Sequence, residues 1–211
     1  MDTTGSVINE EGRHRWNDMI RQIPSRNFHL GIRLARKIGL GLNVFVTFNF
    51  ALTSVDVNPV RAGKAFAHLR AAFCRWARRK GDVVPPTFVW VFENPSDCLH
   101  VHWVVHVPKE RQRDFKANLS KWLEDAAGEV YSDKAIKVKP VRSDEGLKAY
   151  LLKGLHPSIA KVFGIQHVYQ GRFWGRRIGH SKNIGPVQVK KWRDLGVFPP
   201  AKRWITAASN T

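Results

Sequence analysis

His100 and His102 stand two residues apart in the run Cys98-Leu99-His100-Val101-His102-Trp103-Val104-Val105-His106-Val107-Pro108. The run alternates with the period of a strand. Leu99, Val101, Trp103, Val105 and Val107 fall on one side and His100, His102, Val104 and His106 on the other. Two imidazoles on one strand face can grip one metal ion while the apolar face anchors the strand in a core. By itself the pattern also fits a solvated face that carries histidines. Glu93 precedes the turn residues Asn94-Pro95-Ser96-Asp97. If the strand before that turn folds back on the histidine strand with Glu93 opposite His100, the carboxylate shares the histidine face. Two imidazoles and one carboxylate, with positions left for water or phosphate, suit a divalent ion such as Mg²⁺ or Mn²⁺. Without the pairing, Glu93 is an ordinary strand-end acid. His106 lies roughly 13 Å along the strand from His102 and reads as a structural or groove-lining residue.

A second group of reactive side chains lies in Leu147-Lys148-Ala149-Tyr150-Leu151-Leu152-Lys153-Gly154. On a helix Tyr150 and Lys153 share a face while Leu147, Leu151 and Leu152 hold the helix against a sheet. A tyrosine nucleophile needs positive surroundings, because a phenol pKa of about 10 leaves little phenolate at neutral pH. Lys153 supplies that charge. Most Tyr-x-x-Lys matches in a basic chain are boundary tyrosines with a lysine nearby.

The elements that must position these groups can be read in order. Residues 44–50 form a β-branched and aromatic strand, with Thr47 and Asn49 on its less apolar face. Asn58-Pro59 marks a turn, and residues 62–80 carry helical spacing through Phe66, Leu69, Phe73 and Trp76, ending in Arg78-Arg79-Lys80 before Gly81. Strands at 87–93 and 98–107 form a hairpin. A helix over 110–127, a strand over 135–141 and a short helix over 144–155 complete the order. That series predicts an α+β fold: a ferredoxin-like or RRM-like antiparallel sheet of four to five strands, with helices packed on one face. Residues 1–42 read as a basic, partly helical extension and 43–155 as the core. Residues 156–211 form a basic Gly/Arg/Trp-rich segment packed on that core.

The 211 residues suit one domain with extensions, and 43% hydrophobic content supports a folded core. Lys and Arg number 35 against 17 Asp and Glu, a net charge of +18 that favours a polyanionic partner, nucleic acid first. No apolar run approaches the roughly 18 residues of a membrane span, and Met1 to Asn17 does not resemble a signal peptide. Cys74 and Cys98 lack CxxC spacing, which predicts a reducing, cytoplasmic setting.

In this order and spacing the parts resemble the HUH endonuclease superfamily, in particular the single-tyrosine replication initiators of rolling-circle plasmids and single-stranded DNA phages. Phe45-Val46-Thr47-Phe48-Asn49 sits where that family has its first motif, with Asn49 where Thr is commoner. His100-Val101-His102 fits the second motif and Tyr150-x-x-Lys153 the third. The resemblance covers residues 43–154. It implies site-specific nicking and joining of single-stranded DNA: His100, His102 and Glu93 hold one divalent cation, Tyr150 forms a 5′-phosphotyrosine, and Lys153 offsets negative charge. It implies an origin strand or hairpin as partner, a nucleoid- or replicon-associated location, and a helicase supplied separately, since no Gly-x-x-x-x-Gly-Lys-Ser/Thr loop occurs. Tyr131 and Tyr169 are the rival nucleophiles.

Residues 170–182 interleave aromatics, arginines and glycines, a composition suited to stacking on unpaired bases and neutralising phosphates. Arg172, Trp174, Arg176, Arg177 and Lys182 are the expected DNA contacts, continued by Lys190-Lys191-Trp192-Arg193. Three other readings share these features: a single-tyrosine transposase, an RNA-binding module on the same sheet, and an inactive relative that only binds DNA.

Overall fold

A computed structural model of the chain describes residues 16–78 and 84–197. The strands are β1 (Trp16–Asn17), β2 (Val44–Asn49), β3 (Phe88–Glu93), β4 (His100–Val105), β5 (Ile136–Pro140), β6 (Phe173–Trp174) and β7 (Ile178–His180). The helices are α1 (Gln22–Lys37), α2 (Pro59–Arg78), α3 (Gln112–Ala127), α4 (Asp144–Leu151), α5 (Pro157–Val162) and α6 (Pro186–Asp194). Five strands form one antiparallel sheet in the order β5-β2-β4-β3-β7, and β1 pairs with β6 beside it. Within the large sheet β4 lies between β2 and β3, and β2 lies between β4 and β5. Each helical crossover, through α2 and through α3, therefore skips one strand. This is the expected split βαβ arrangement, with β7 added at the β3 edge.

The expected helix over 62–80 begins earlier, at Pro59. Asn58 Oδ1 accepts from the Val60 and Arg61 amides, both at 3.0 Å, and Pro59 occupies the first turn, where its missing N–H costs nothing. The pair read as a turn is thus a helix start. Arg79, Lys80 and Gly81 lie outside the described residues.

Aromatic packing holds α2 and α3 against one sheet face. Trp103 is fully buried there, its ring centre 5.1–6.2 Å from those of Phe48, Phe66, Phe73, Phe88 and Phe115. Phe and Trp truncations at such sites remove both transfer energy and dispersion contacts. Trp103→Ala should therefore lower stability by about 3–5 kcal/mol, read as a fall in the urea midpoint at unchanged slope.

Helices do not keep to that one face. Phe28, Ile32 and Ala35 of α1, with Leu147 and Leu151 of α4, bury Val89, Val91, Val104 and Ile178 on the other. This second layer explains why β3 is buried at every position and β4 at all but its first. Apolar residues on both sides of a central strand are the mark of cover on both sides. The described residues of the amino-terminal extension and of the carboxy-terminal segment pack on the core. Residues of α1 belong to this second core, α6 packs on α1 through Val189 and Leu34, and β7 continues the sheet. Gly179 of β7 is required by close approach: a Cβ there would stand 2.1 Å from the Trp90 ring.

Candidate active site

The β3–β4 register places Glu93 opposite His100, as the hairpin predicts. The histidine face opens into a groove that Gly146, Leu147 and Tyr150 of α4 also line. Glu93 Oε2 lies 3.2 Å from His100 Nε2 and 3.2 Å from His102 Nε2. One ligand atom from each of the three lies within 4.8 Å of the others, close enough to hold one metal ion.

Both rings are aimed from behind. His100 Nδ1 donates to the Cys98 carbonyl at 2.6 Å, since a carbonyl only accepts, and this bond turns Nε2 toward the cluster. His102 Nδ1 meets Thr47 Oγ1 at 2.9 Å, because Thr47 on β2 is the cross-strand partner of His102. Burial lowers the His102 pKa below its ordinary value despite the nearby Glu93 carboxylate, so at neutral pH it is an uncharged ligand. Burial opposes the charge on Glu93. Hydrogen bonds with His100 and His102 and the Lys153 ammonium outweigh it and hold the carboxyl well below the usual range. Glu93 Oε1 is buried with no hydrogen-bond partner. Two imidazole Nε2 atoms and a buried carboxylate with one unpartnered oxygen form a group that can hold a metal ion.

Tyr150 and Lys153 join this cluster. The Tyr150 hydroxyl is 3.4 Å from His102 Nε2, and Lys153 Nζ is 2.9 Å from Glu93 Oε2 and 4.2 Å from the centre of the Tyr150 ring. Helix α4 starts on Ser143, whose side chain accepts from the Gly146 amide, and ends at Leu151 rather than near 155. Lys153 therefore sits in the turn after the helix. There Gly154 packs so closely on Gln170 that an added Cβ would stand 3.0 Å from Gln170 Cγ. Tyr150 is half exposed at 47% and lines the groove in front of the cluster. Phe45 supports it, with ring centres 5.2 Å from His102 and 5.9 Å from Tyr150.

Other candidates fall elsewhere. His106 Nδ1 bonds the Gly41 carbonyl at 2.8 Å, a structural role. Tyr131 and Tyr169 are both exposed, and neither contacts the histidines. Arg172 and Lys182 are exposed, and Arg172 pairs with Asp18 at 3.3 Å. Trp174 packs edge-on against Trp16, and the Arg176 guanidinium lies over the Trp90 ring.

Arg177 corrects the expectation of a DNA contact. It is only 4% exposed, and its guanidinium donates to Asn17 Oδ1 at 2.7 Å and to the carbonyls of Asn17, Gln170, Gly171 and Phe92. Burial pushes its pKa down to about 10, so it stays charged. Arg177→Ala should cost about 3 kcal/mol by stranding buried carbonyls, read as a fall in the urea midpoint.

The residues not singled out as site residues are Phe45, Thr47, Lys134, Lys137, Lys139 and Arg142, which line the groove in front of Tyr150. The alternation Lys137-Val138-Lys139 in an expected strand was the available signal. Among the described residues no helix is long and apolar enough to cross a membrane. Compared with protein-family models, curated proteins and solved structures, the chain matches none.

Proposed function

We propose that this chain is a metal-dependent enzyme that nicks and rejoins single-stranded DNA through a 5′-phosphotyrosine, as in the initiation of rolling-circle replication. The observation that carries this reading is the Tyr150 hydroxyl 3.4 Å from His102 Nε2, beside the Glu93, His100 and His102 cluster and within reach of Lys153. Glu93, His100 and His102 would hold one divalent cation, Mg²⁺ or Mn²⁺, which when bound polarises the scissile phosphate and offsets its charge.

Tyr150 Oη attacks phosphorus and the P–O3′ bond breaks. The phenol proton is lost, and the departing 3′-oxygen gains one and leaves as a hydroxyl. Lys153, whose Nζ lies 4.2 Å from the centre of the Tyr150 ring, offsets negative charge that builds on the phosphate. One phosphodiester replaces another, so the 3′-hydroxyl can attack the phosphotyrosine and restore the strand. The partner would be a single strand or an origin hairpin exposed by a separate helicase, in a cytoplasmic, replicon-associated setting. The net charge of +18 supports a polyanionic substrate.

The test is a denaturant-resistant adduct between the full chain and a degenerate single-stranded library in Mn²⁺, mapped by peptide mass spectrometry. An adduct on Tyr150 is expected. Tight DNA binding with no adduct under any divalent ion would overturn the catalytic reading in favour of a binding protein on this fold.

A further inference from the structure

We propose that the groove between α4 and β5 is the channel that holds the nucleotides flanking the cleaved phosphate, with Lys137, Lys139 and Arg142 as its phosphate contacts; this rests on the single-strand reading above. The groove encloses about 490 Å³ and runs from the histidines along β2 to the start of α4. Strand register fixes what faces it. Lys137 pairs with Thr47 and Lys139 with Phe45, and Thr47 in turn pairs with His102, so the lysines rise from the same sheet face as the metal-ligand histidines.

The charge of the groove is one-sided. Lys134, Lys137, Lys139 and Arg142 line it and are exposed, and none forms an ion pair with an acidic side chain of the described residues. No Asp or Glu lines it. Like charges gathered in a concave site without counter-charge repel one another, and a polyanion threaded between them relieves that repulsion.

The floor is apolar and aromatic. Phe45 is half-buried, with Pro140 and Val141 beyond it and Leu147 on the α4 wall. A ring of this kind offers a stacking surface to any base, and alternate lysines about 6.6 Å apart along β5 offer successive contacts to a backbone. The channel ends at the Tyr150 hydroxyl, so a strand lying in it delivers a phosphate to the nucleophile. A duplex, with its bases paired, offers no face to Phe45.

The experiment measures binding of the full chain to a fluorescein-labelled homothymidine strand over a salt series, by anisotropy. Lys137→Ala/Lys139→Ala is compared with Lys64→Ala/Lys116→Ala, which removes the same charge from exposed positions on α2 and α3. The groove variant should bind roughly tenfold more weakly, and its log K against log salt slope should be shallower by about 1.4. Arg142→Ala should shift the slope by about half as much. Equal affinity and slope in the two double variants would overturn the proposal, as would stronger competition by homouridine RNA than by DNA. If the groove variant loses binding but no adduct forms on Tyr150, the channel stands and the nicking reading falls. If Tyr150 is labelled equally in wild type and groove variant, with unchanged binding, the nicking reading stands and the channel falls.

Discussion

Tyr150→Phe should abolish the covalent DNA adduct outright while leaving the fold and single-strand binding in place. The variant removes one oxygen from a side chain that is 47% exposed, whose ring contacts with Phe45 and His102 survive. Stability should therefore move by no more than about 0.5 kcal/mol. No other tyrosine stands at the cluster, so no residual nucleophile is expected. An adduct transferred to Tyr131 or Tyr169 would keep the class of reaction and refute the assignment of Tyr150. Lys153→Met should leave the adduct detectable but slow its formation by about 100-fold, the scale of losing one charge-stabilising group in a site of this kind. Because Lys153 also pairs with Glu93, its effect must be measured at saturating Mn²⁺, with the metal affinity determined alongside.

The second large effect is thermal and needs no DNA. Mn²⁺ at about 100 times its Kd should stabilise the protein by about 2.7 kcal/mol, which for a chain of this size raises Tm by about 5–10 °C. His100→Ala/His102→Ala should erase that shift. Thr47→Val should keep the ligands but release the His102 ring, weakening Mn²⁺ binding by about 10-fold or more in a calorimetric titration. Metal binding competes with protons at imidazole. Burial depresses the His102 pKa, so this residue stays free to bind a metal at lower pH than a free histidine, and the shift in Tm should shrink as the pH falls and the cluster protonates. A Tm that rises equally in wild type and the double histidine variant would place the ion elsewhere.

Much of this site was legible along the chain. Strict alternation about Trp103 put His100 and His102 on one face. The turn at 94–97 folded β3 back so that Glu93 met His100, and Leu147 and Leu151 committed α4 to the sheet with Tyr150 left outside. The series of elements was also sufficient for the split βαβ order. These features are local or lie in neighbouring elements, where periodicity and turn chemistry decide which way a side chain points. What only the tertiary structure decided lies across long separations. Asn17 captures Arg177 at a separation of 160 residues, so an arginine that composition assigns to DNA is spent inside the protein. Similarly, α1 closes the second face of the sheet, and β5 comes to lie beside β2 so that two lysines line the approach to Tyr150. A charged side chain carries no periodic signal of its destination. Whether it meets solvent, a substrate or a buried carbonyl depends on which distant backbone packs over it, and that is set by the burial of the whole chain at once.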